Sequence, residues 1–282
     1  MRQDTSTGWP QQPMFAALDA FGADLSIERL NRLAERNARN GGARSIRFVA
    51  QTETLLADGL HYEERIAREG AVATREGSTH DLFNALIWLR HPALKRAMNA
   101  RQVADIARVG PKQRTRGQCA LTHFDEAGAI AWVAASAPLA AWNAHDWRGL
   151  FLDAGPAWGS TIAITLIGHA LFDHALAHGE YPVAKALVVR VAPEAIAGRS
   201  GNALISAWPE AERVVAREIA AGRLLADPQE LRPLPLAGLW DARWESSDFY
   251  EKAPCFRPLR VGRRYPAPLD LAAVRTSDRP GR

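Results

Sequence analysis

Helix-spaced apolar segments and short strand-like runs follow one another irregularly along this chain, and that irregular order narrows the fold more than any other feature. A doubly wound sheet needs a regular alternation of strand and helix, which is missing. The pattern therefore predicts the α+β class: a single compact domain with helices packed around a small mixed sheet. At 282 residues the chain is long enough to bury a sizeable core.

Residues 15–39 carry Leu18, Phe21, Leu25, Ile27, Leu30 and Leu33 at helical spacing, with Asp24 or Ser26 placed to cap a helix over 27–38. Residues 45–51 read as a short strand and 62–69 as a short helix. The next helix spans 79–89, with Thr79 as its N-cap and Asp81 in its first turn, where a carboxylate suits the helix dipole. Pro92 must restart it, and helix continues over 93–106. Residues 119–123 and 129–134 read as two strands joined by the turn Asp125-Glu126-Ala127-Gly128. Helix is expected over 140–151, a long buried helix over 161–178, a strand over 184–191, and a helix bent at Pro209 over 203–221. Residues 1–13 read as a flexible arm and 14–258 as the domain. Prolines at 233, 235, 254, 258, 266 and 268 predict an extended C-terminal arm, anchored by Trp240, Trp244, Phe249, Tyr250 and Phe256 and ending in a basic tail over 259–282.

Composition removes several classes. The most apolar run, 161–172, is about a dozen residues and contains His169, whereas a membrane span needs roughly 20 apolar residues. The N-terminus lacks the apolar stretch of a secretory signal, and the two cysteines, Cys119 and Cys255, suggest neither a disulfide framework nor a thiolate zinc knuckle. A cytoplasmic location is expected. The net charge of +4 is concentrated: the 27 residues from Phe256 onward carry +5, leaving the rest near neutral. A second basic stretch over 91–118 holds Lys95, Arg96, Arg101, Arg108, Lys112, Arg114 and Arg116 against Asp105 alone. Such patches permit binding of nucleic acid or another anionic partner without requiring it.

Familiar catalytic motifs are missing. The run 155–161 resembles a phosphate loop but is one residue short and has no lysine. Neither GxGxxG nor GxSxG occurs, and Ala175 stands between His174 and His178 where a zinc protease helix needs glutamate.

The informative stretch is residues 80–88. His80, Asn84, Ile87, Trp88 and His91 share one helical face, so two polar side chains accompany apolar residues that must pack. Such groups need hydrogen-bond partners, either as a polar network holding helices in register or as a site. Histidine is suited to acid–base work and, with Asp or Glu oxygens, to holding a metal ion. The catalytic candidates are His80, Asp81, Asn84, Asp125 and His169, with Glu126 and Asp173 as further partners. His80, Asp125 and His169 are the candidate ligands for a divalent metal, and Lys95, Asn99 and Arg257 the candidates for binding an anionic, phosphate-containing substrate. A hydrolase is the first functional expectation; a non-catalytic interaction protein and a nucleic-acid-binding protein are the alternatives.

Tyr62-Glu63, Arg75, the stretch 80–88, Pro92, Lys95 and Asn99 resemble a bacterial family of unknown function, domain-of-unknown-function family 3025. So do residues 120–122, 124–126 and 168–171, together with Phe249-Tyr250 and the run 256–258. The resemblance extends from about Phe48 to Pro258 and implies no particular activity. The chain departs from the family pattern at His123, where a bulky apolar residue is expected, and at 117–119, where an acidic residue is expected.

Overall fold

A computed structural model describes residues 13–18, 21, 26–41, 46–178, 181–241, 243 and 245–272. The chain runs through helix α1 (Ile27–Gly41), strand β1 (Arg47–Ala50), helices α2 (Glu53–Leu56) and α3 (Tyr62–Glu69), and strand β2 (Ala71–Thr74). Helices α4 (Thr79–Arg90), α5 (Pro92–Val109) and α6 (Arg116–Ala127) precede strand β3 (Gly128–Val133), helix α7 (Ser136–Ala144) and strand β4 (Ile162–Leu166). Then come helix α8 (His169–His178), strand β5 (Val183–Arg190), and helices α9 (Pro193–Ile196), α10 (Gly201–Ala207) and α11 (Pro209–Ala220). Strand β6 (Arg232–Pro235), helices α12 (Ala237–Trp240) and α13 (Ser247–Lys252), and the two-residue strand β7 (Leu269–Asp270) complete the order.

The fold is α+β, with helices packed around a small mixed sheet. Strands run in the order β4-β3-β5-β6; β3 and β5 are parallel, while β3–β4 and β5–β6 are antiparallel. Strand β7 joins β5 in parallel at Val189 and Arg190. Every residue of β3 is buried, as befits a central strand covered on both faces. A separate two-stranded parallel ribbon joins β1 to β2.

Three expected elements take a different form, the helix over 140–151 among them: α7 ends at Ala144, where His145 turns to φ 55°, and a separate helical turn follows over Gly149–Asp153. The strand at 119–123 and its turn are helix α6, started by a capping box in which Thr115 accepts from the Gln118 N–H and the Gln118 side chain accepts from the Thr115 N–H. That cap lies upstream of the apolar residues, and Gln118, Leu121 and Phe124 then bury one helical face. The long helix over 161–178 is strand β4 followed by helix α8, with a break at Gly168. A short apolar run rich in β-branched residues fits either state until its partner is known, and β3 supplies that partner. Ser78, rather than Thr79, caps α4, accepting from the Asp81 N–H at 3.2 Å. At α1 the Ser26 hydroxyl accepts from Arg29, while Asp24 lies outside the described residues.

Beyond Pro228 the chain forms β6, two helices and β7. Phe249, Tyr250 and Phe256 are buried, and Trp240 packs half-buried against Tyr181. Residues 1–12, Trp244 and 273–282 lie outside the described residues.

One close approach positions the site. Ile167 and Gly168 both donate backbone N–H groups to Gly128 O, at 2.9 and 2.8 Å. A Cβ on Gly168 would stand 2.4 Å from Ala127 Cα and 2.4 Å from Gly128 N, so only glycine fits. The end of α6, carrying Asp125 and Glu126, is thereby held against the start of α8, carrying His169.

Candidate functional site

A cavity of about 290 Å³ opens among α3, α4, α5, the end of α6 and the start of α8. Of the expected site residues, His80, Asp81, Asn84, Lys95, Asn99, Asp125 and His169 all line it. Tyr62, Glu63, Arg75, Trp88 and Glu126 line it as well.

At one end the two histidines meet. His80 Nε2 lies 3.0 Å from His169 Nε2, and Glu126 Oε2 stands 3.9 Å from the first and 3.6 Å from the second. One donor atom from each of His80, Glu126 and His169 falls within 4.8 Å of the others, close enough for one ion. Ligand bonds of about 2.1 Å place two donors roughly 3.0 Å apart at a right angle and about 3.4 Å apart in a tetrahedron, so small side-chain adjustments suffice. Each imidazole also has a carboxylate beside its other nitrogen: Asp173 Oδ2 is 3.7 Å from His80 Nδ1, and Asp125 Oδ2 is 3.9 Å from His169 Nδ1. Thr79 Oγ donates to Asp173 Oδ1 at 2.5 Å and holds it there. A carboxylate near the far nitrogen of each imidazole resembles the outer surroundings of metal-binding histidines, although both separations exceed a hydrogen bond and His169 Nδ1 has no hydrogen-bond partner among the described residues.

His169 is buried with only 3% of its surface exposed, while the His80 and Glu126 side chains keep 36% and 45%. Burial lowers the pKa of His169 to about 4, against the pull of Asp125, so its ring is neutral and able to ligate across the physiological range. The group whose donor atoms lie close enough for one ion contains Glu126, where the sequence points to Asp125. As the last full turn of α6 directs them, Glu126 faces both Nε2 atoms, and Asp125 faces Lys95.

The remaining candidates are tied into pairs. Lys95, only 4% exposed, forms an ion pair with Asp125 and donates to Asn84 Oδ1 at 2.8 Å. Burial opposes ionisation of Asp125, yet Lys95 and His169 hold its carboxyl below the usual range. Asp81 accepts from the Arg75 backbone N–H at 2.7 Å and from its guanidinium at 2.9 and 2.8 Å, which makes it an anchor for the start of α4. Asn99 donates to Glu63 Oε2 at 2.6 Å and to Glu63 O at 2.9 Å. Neither Lys95 nor Asn99 is therefore placed as an uncommitted phosphate donor. Arg257 lies outside the cavity: its carbonyl accepts from Trp147 and His145, and the residue is exposed to solvent. His91, which caps the end of α4, turns instead to Glu212, with Nδ1 3.1 Å from Oε2.

The charge inventory favours a cation. Four carboxylates line the cavity, those of Glu63, Asp81, Asp125 and Glu126, against the charges of Lys95 and Arg75. Asp125 and Asp81 take those two partners, which leaves Glu63 and Glu126 uncompensated. Burial pushes both of these carboxyl groups above the ordinary range. For Glu63 the sign follows directly. Its folded pKa lies above the unfolded value of 4.5, so ionisation destabilises the fold as pH rises through that raised value. Glu63→Gln should therefore raise Tm near neutrality, and the gain should vanish towards pH 4.5 and below. Thermal melts across about pH 4 to pH 8 check this.

Part of the basic stretch at 95–116 is paired within the chain, where three carboxylates meet four of its seven cations. Arg101 and Arg108 pair with Asp105, Arg116 with Asp227, and Lys95 with Asp125. Arg114 is bonded to Thr122.

Fold and cavity together define an α+β protein with a polar, carboxylate-rich pocket that carries two facing histidines at one end. The chain belongs to the family described as "Protein of unknown function (DUF3025)", matched over residues 46–260. No curated protein and no solved structure matches it. None of its helices among the described residues is long and apolar enough to cross a membrane.

Proposed function

We propose that this protein is a metal-dependent hydrolase whose divalent ion is held by His80, Glu126 and His169. The observation that carries this reading is the pair of facing Nε2 atoms, 3.0 Å apart, with one carboxylate oxygen within 4 Å of both. Two histidines and a carboxylate leave coordination positions open, and the exposed sides of His80 and Glu126 give water access to them. An ion there lowers the pKa of bound water to about 7 and so supplies a nucleophile near neutral pH. Around it, Asp173 and Asp125 set negative charge beside the two imidazoles, Arg75 fixes the start of α4 through Asp81, and Lys95 balances the charge of Asp125. The unpaired cysteines Cys119 and Cys255 fit a reducing, cytoplasmic setting.

The test uses generic chromogenic substrates, p-nitrophenyl acetate and p-nitrophenyl phosphate. Hydrolysis of at least one should be lost on treatment with a strong chelator and restored by Zn²⁺ or Mn²⁺. Activity that survives complete metal removal, or no activity on either ester with the metal bound, counts against the proposal.

A further inference from the structure

The wall of the same cavity carries two hydrogen-bond donors that the protein leaves unused, and the network around them shows why. Lys95 Nζ donates to Asn84 Oδ1 at 2.8 Å. An ammonium has no acceptor, so the amide oxygen must face it. The Asn84 amide nitrogen then donates to the Tyr62 hydroxyl oxygen at 2.8 Å. With its oxygen accepting, Tyr62 must direct its own hydrogen elsewhere, and no group among the described residues accepts it. Tyr62 as a residue is 37% exposed, but its hydroxyl end sits in the cavity, where burial and the charges of Glu63 and Asp125 raise the phenol's pKa and keep it a donor.

The second donor is Trp88 Nε1–H. Trp88 is 2% exposed and lines the cavity, yet its indole nitrogen is buried without a hydrogen-bond partner. It lies beside the Tyr62 oxygen, near enough to favour the phenol's charged form but outside hydrogen-bonding geometry. The indole N–H is thus an unmade hydrogen bond that an oxygen atom brought against it would satisfy.

Resting on the metal-site reading above, we infer that Tyr62 Oη–H and Trp88 Nε1–H form a receptor for the carbonyl oxygen of a neutral acyl group, an amide or an ester. Both donors are uncharged, whereas a phosphate dianion is ordinarily met by free arginine or lysine. Here the two cavity cations are already paired with carboxylates, so a dianion would lack a free cationic side chain in the cavity wall. A neutral carbonyl needs no such partner, and it gains most from the two donors when negative charge develops on its oxygen. A metal held by His80, Glu126 and His169 would supply the activated water; that water would add to the acyl carbon as the bond to the leaving nitrogen or oxygen breaks. One water hydrogen departs with the leaving group, and the other stays with the new carboxyl group. Tyr62 and Trp88 hold the oxygen on which charge accumulates.

The experiment loads the full chain with Co²⁺ and follows its visible absorption during titration with acetate, a mimic of the product carboxylate, or with inorganic phosphate. Wild type should bind acetate at least as tightly as phosphate. Tyr62→Phe should weaken acetate binding about tenfold or more while leaving Co²⁺ stoichiometry and the unliganded spectrum unchanged. Trp88→Phe, with folding verified by its melt, should act in the same direction. Acetate binding by Tyr62→Phe that equals wild type, or phosphate binding far tighter than acetate, overturns the acyl inference with the metal site intact. Failure of the wild-type protein to take up Co²⁺ overturns the metal reading itself and this inference with it.

Discussion

Replacing His169 with alanine should weaken Zn²⁺ binding at least about 100-fold, as measured by titration against a chromophoric chelator. The ring is buried, held neutral with its pKa lowered to about 4, and its Nε2 lies 3.0 Å from that of His80. Removing it deletes a donor that needs no deprotonation before it binds, and the remaining His80 and Glu126 side chains are more than a third exposed and less fixed. A graded series follows from the outer carboxylates. Asp173→Asn removes the charge behind His80 but keeps an acceptor for Thr79, so it should cost about 10-fold, the lower end of what such outer partners contribute. Asp125→Asn should cost more, because it also strands the Lys95 ammonium.

Lys95→Met should destabilise the fold by about 3 kcal/mol, at the lower end of the cost of breaking a buried ion pair. The ammonium side chain is 4% exposed, while the Asp125 side chain keeps 28%, so some of the stranded charge is relieved by water. For a chain of this length that corresponds to a fall in Tm of roughly 6–12 °C. Adding Asp125→Asn should recover most of the loss, since no uncompensated charge then remains. The pH dependence has a definite sign. In the wild type Asp125 titrates below its unfolded value of 3.8, so its pairing contributes stability above that pH and loses it as pH falls through the depressed folded value. Without Lys95 that contribution goes, and the gap between variant and wild type should narrow in acid. Urea denaturation at several pH values measures both effects.

Much of the site could be read from residues 80–88, because helical spacing alone puts His80, Asn84 and Trp88 on one face. The same spacing also carried His91, but the helix ends there and its ring turns to Glu212 on α11. Choosing between Asp125 and Glu126 as metal ligand was beyond spacing arguments. The pair read as a turn, and only the helical path of α6, set by the Thr115–Gln118 cap ten residues upstream, decides which carboxylate faces the histidines. The helix at 161–178 failed for a related reason: residues 162–166 are apolar enough for either state, and pairing with β3 is a long-range fact. Tyr62 and Glu63 were visible as part of the family resemblance, yet nothing local marks a tyrosine at the start of a short helix as a cavity donor. Its significance comes from the chain of donors through Lys95 and Asn84. Arg257 read as an anion-binding residue on charge alone, and its backbone, rather than its guanidinium, makes the observed contacts.

The most direct test of the metal site is elemental analysis of the untagged protein after equilibration with Zn²⁺, Mn²⁺ or Fe²⁺ and removal of free ion, with Glu126→Ala treated in parallel. Close to one ion per chain in wild type, and almost none in Glu126→Ala at an unchanged melting temperature of the metal-free form, is the expected result. A wild-type protein that retains no ion, or a Glu126→Ala protein that retains as much as wild type, would contradict a metal centre built from His80, Glu126 and His169.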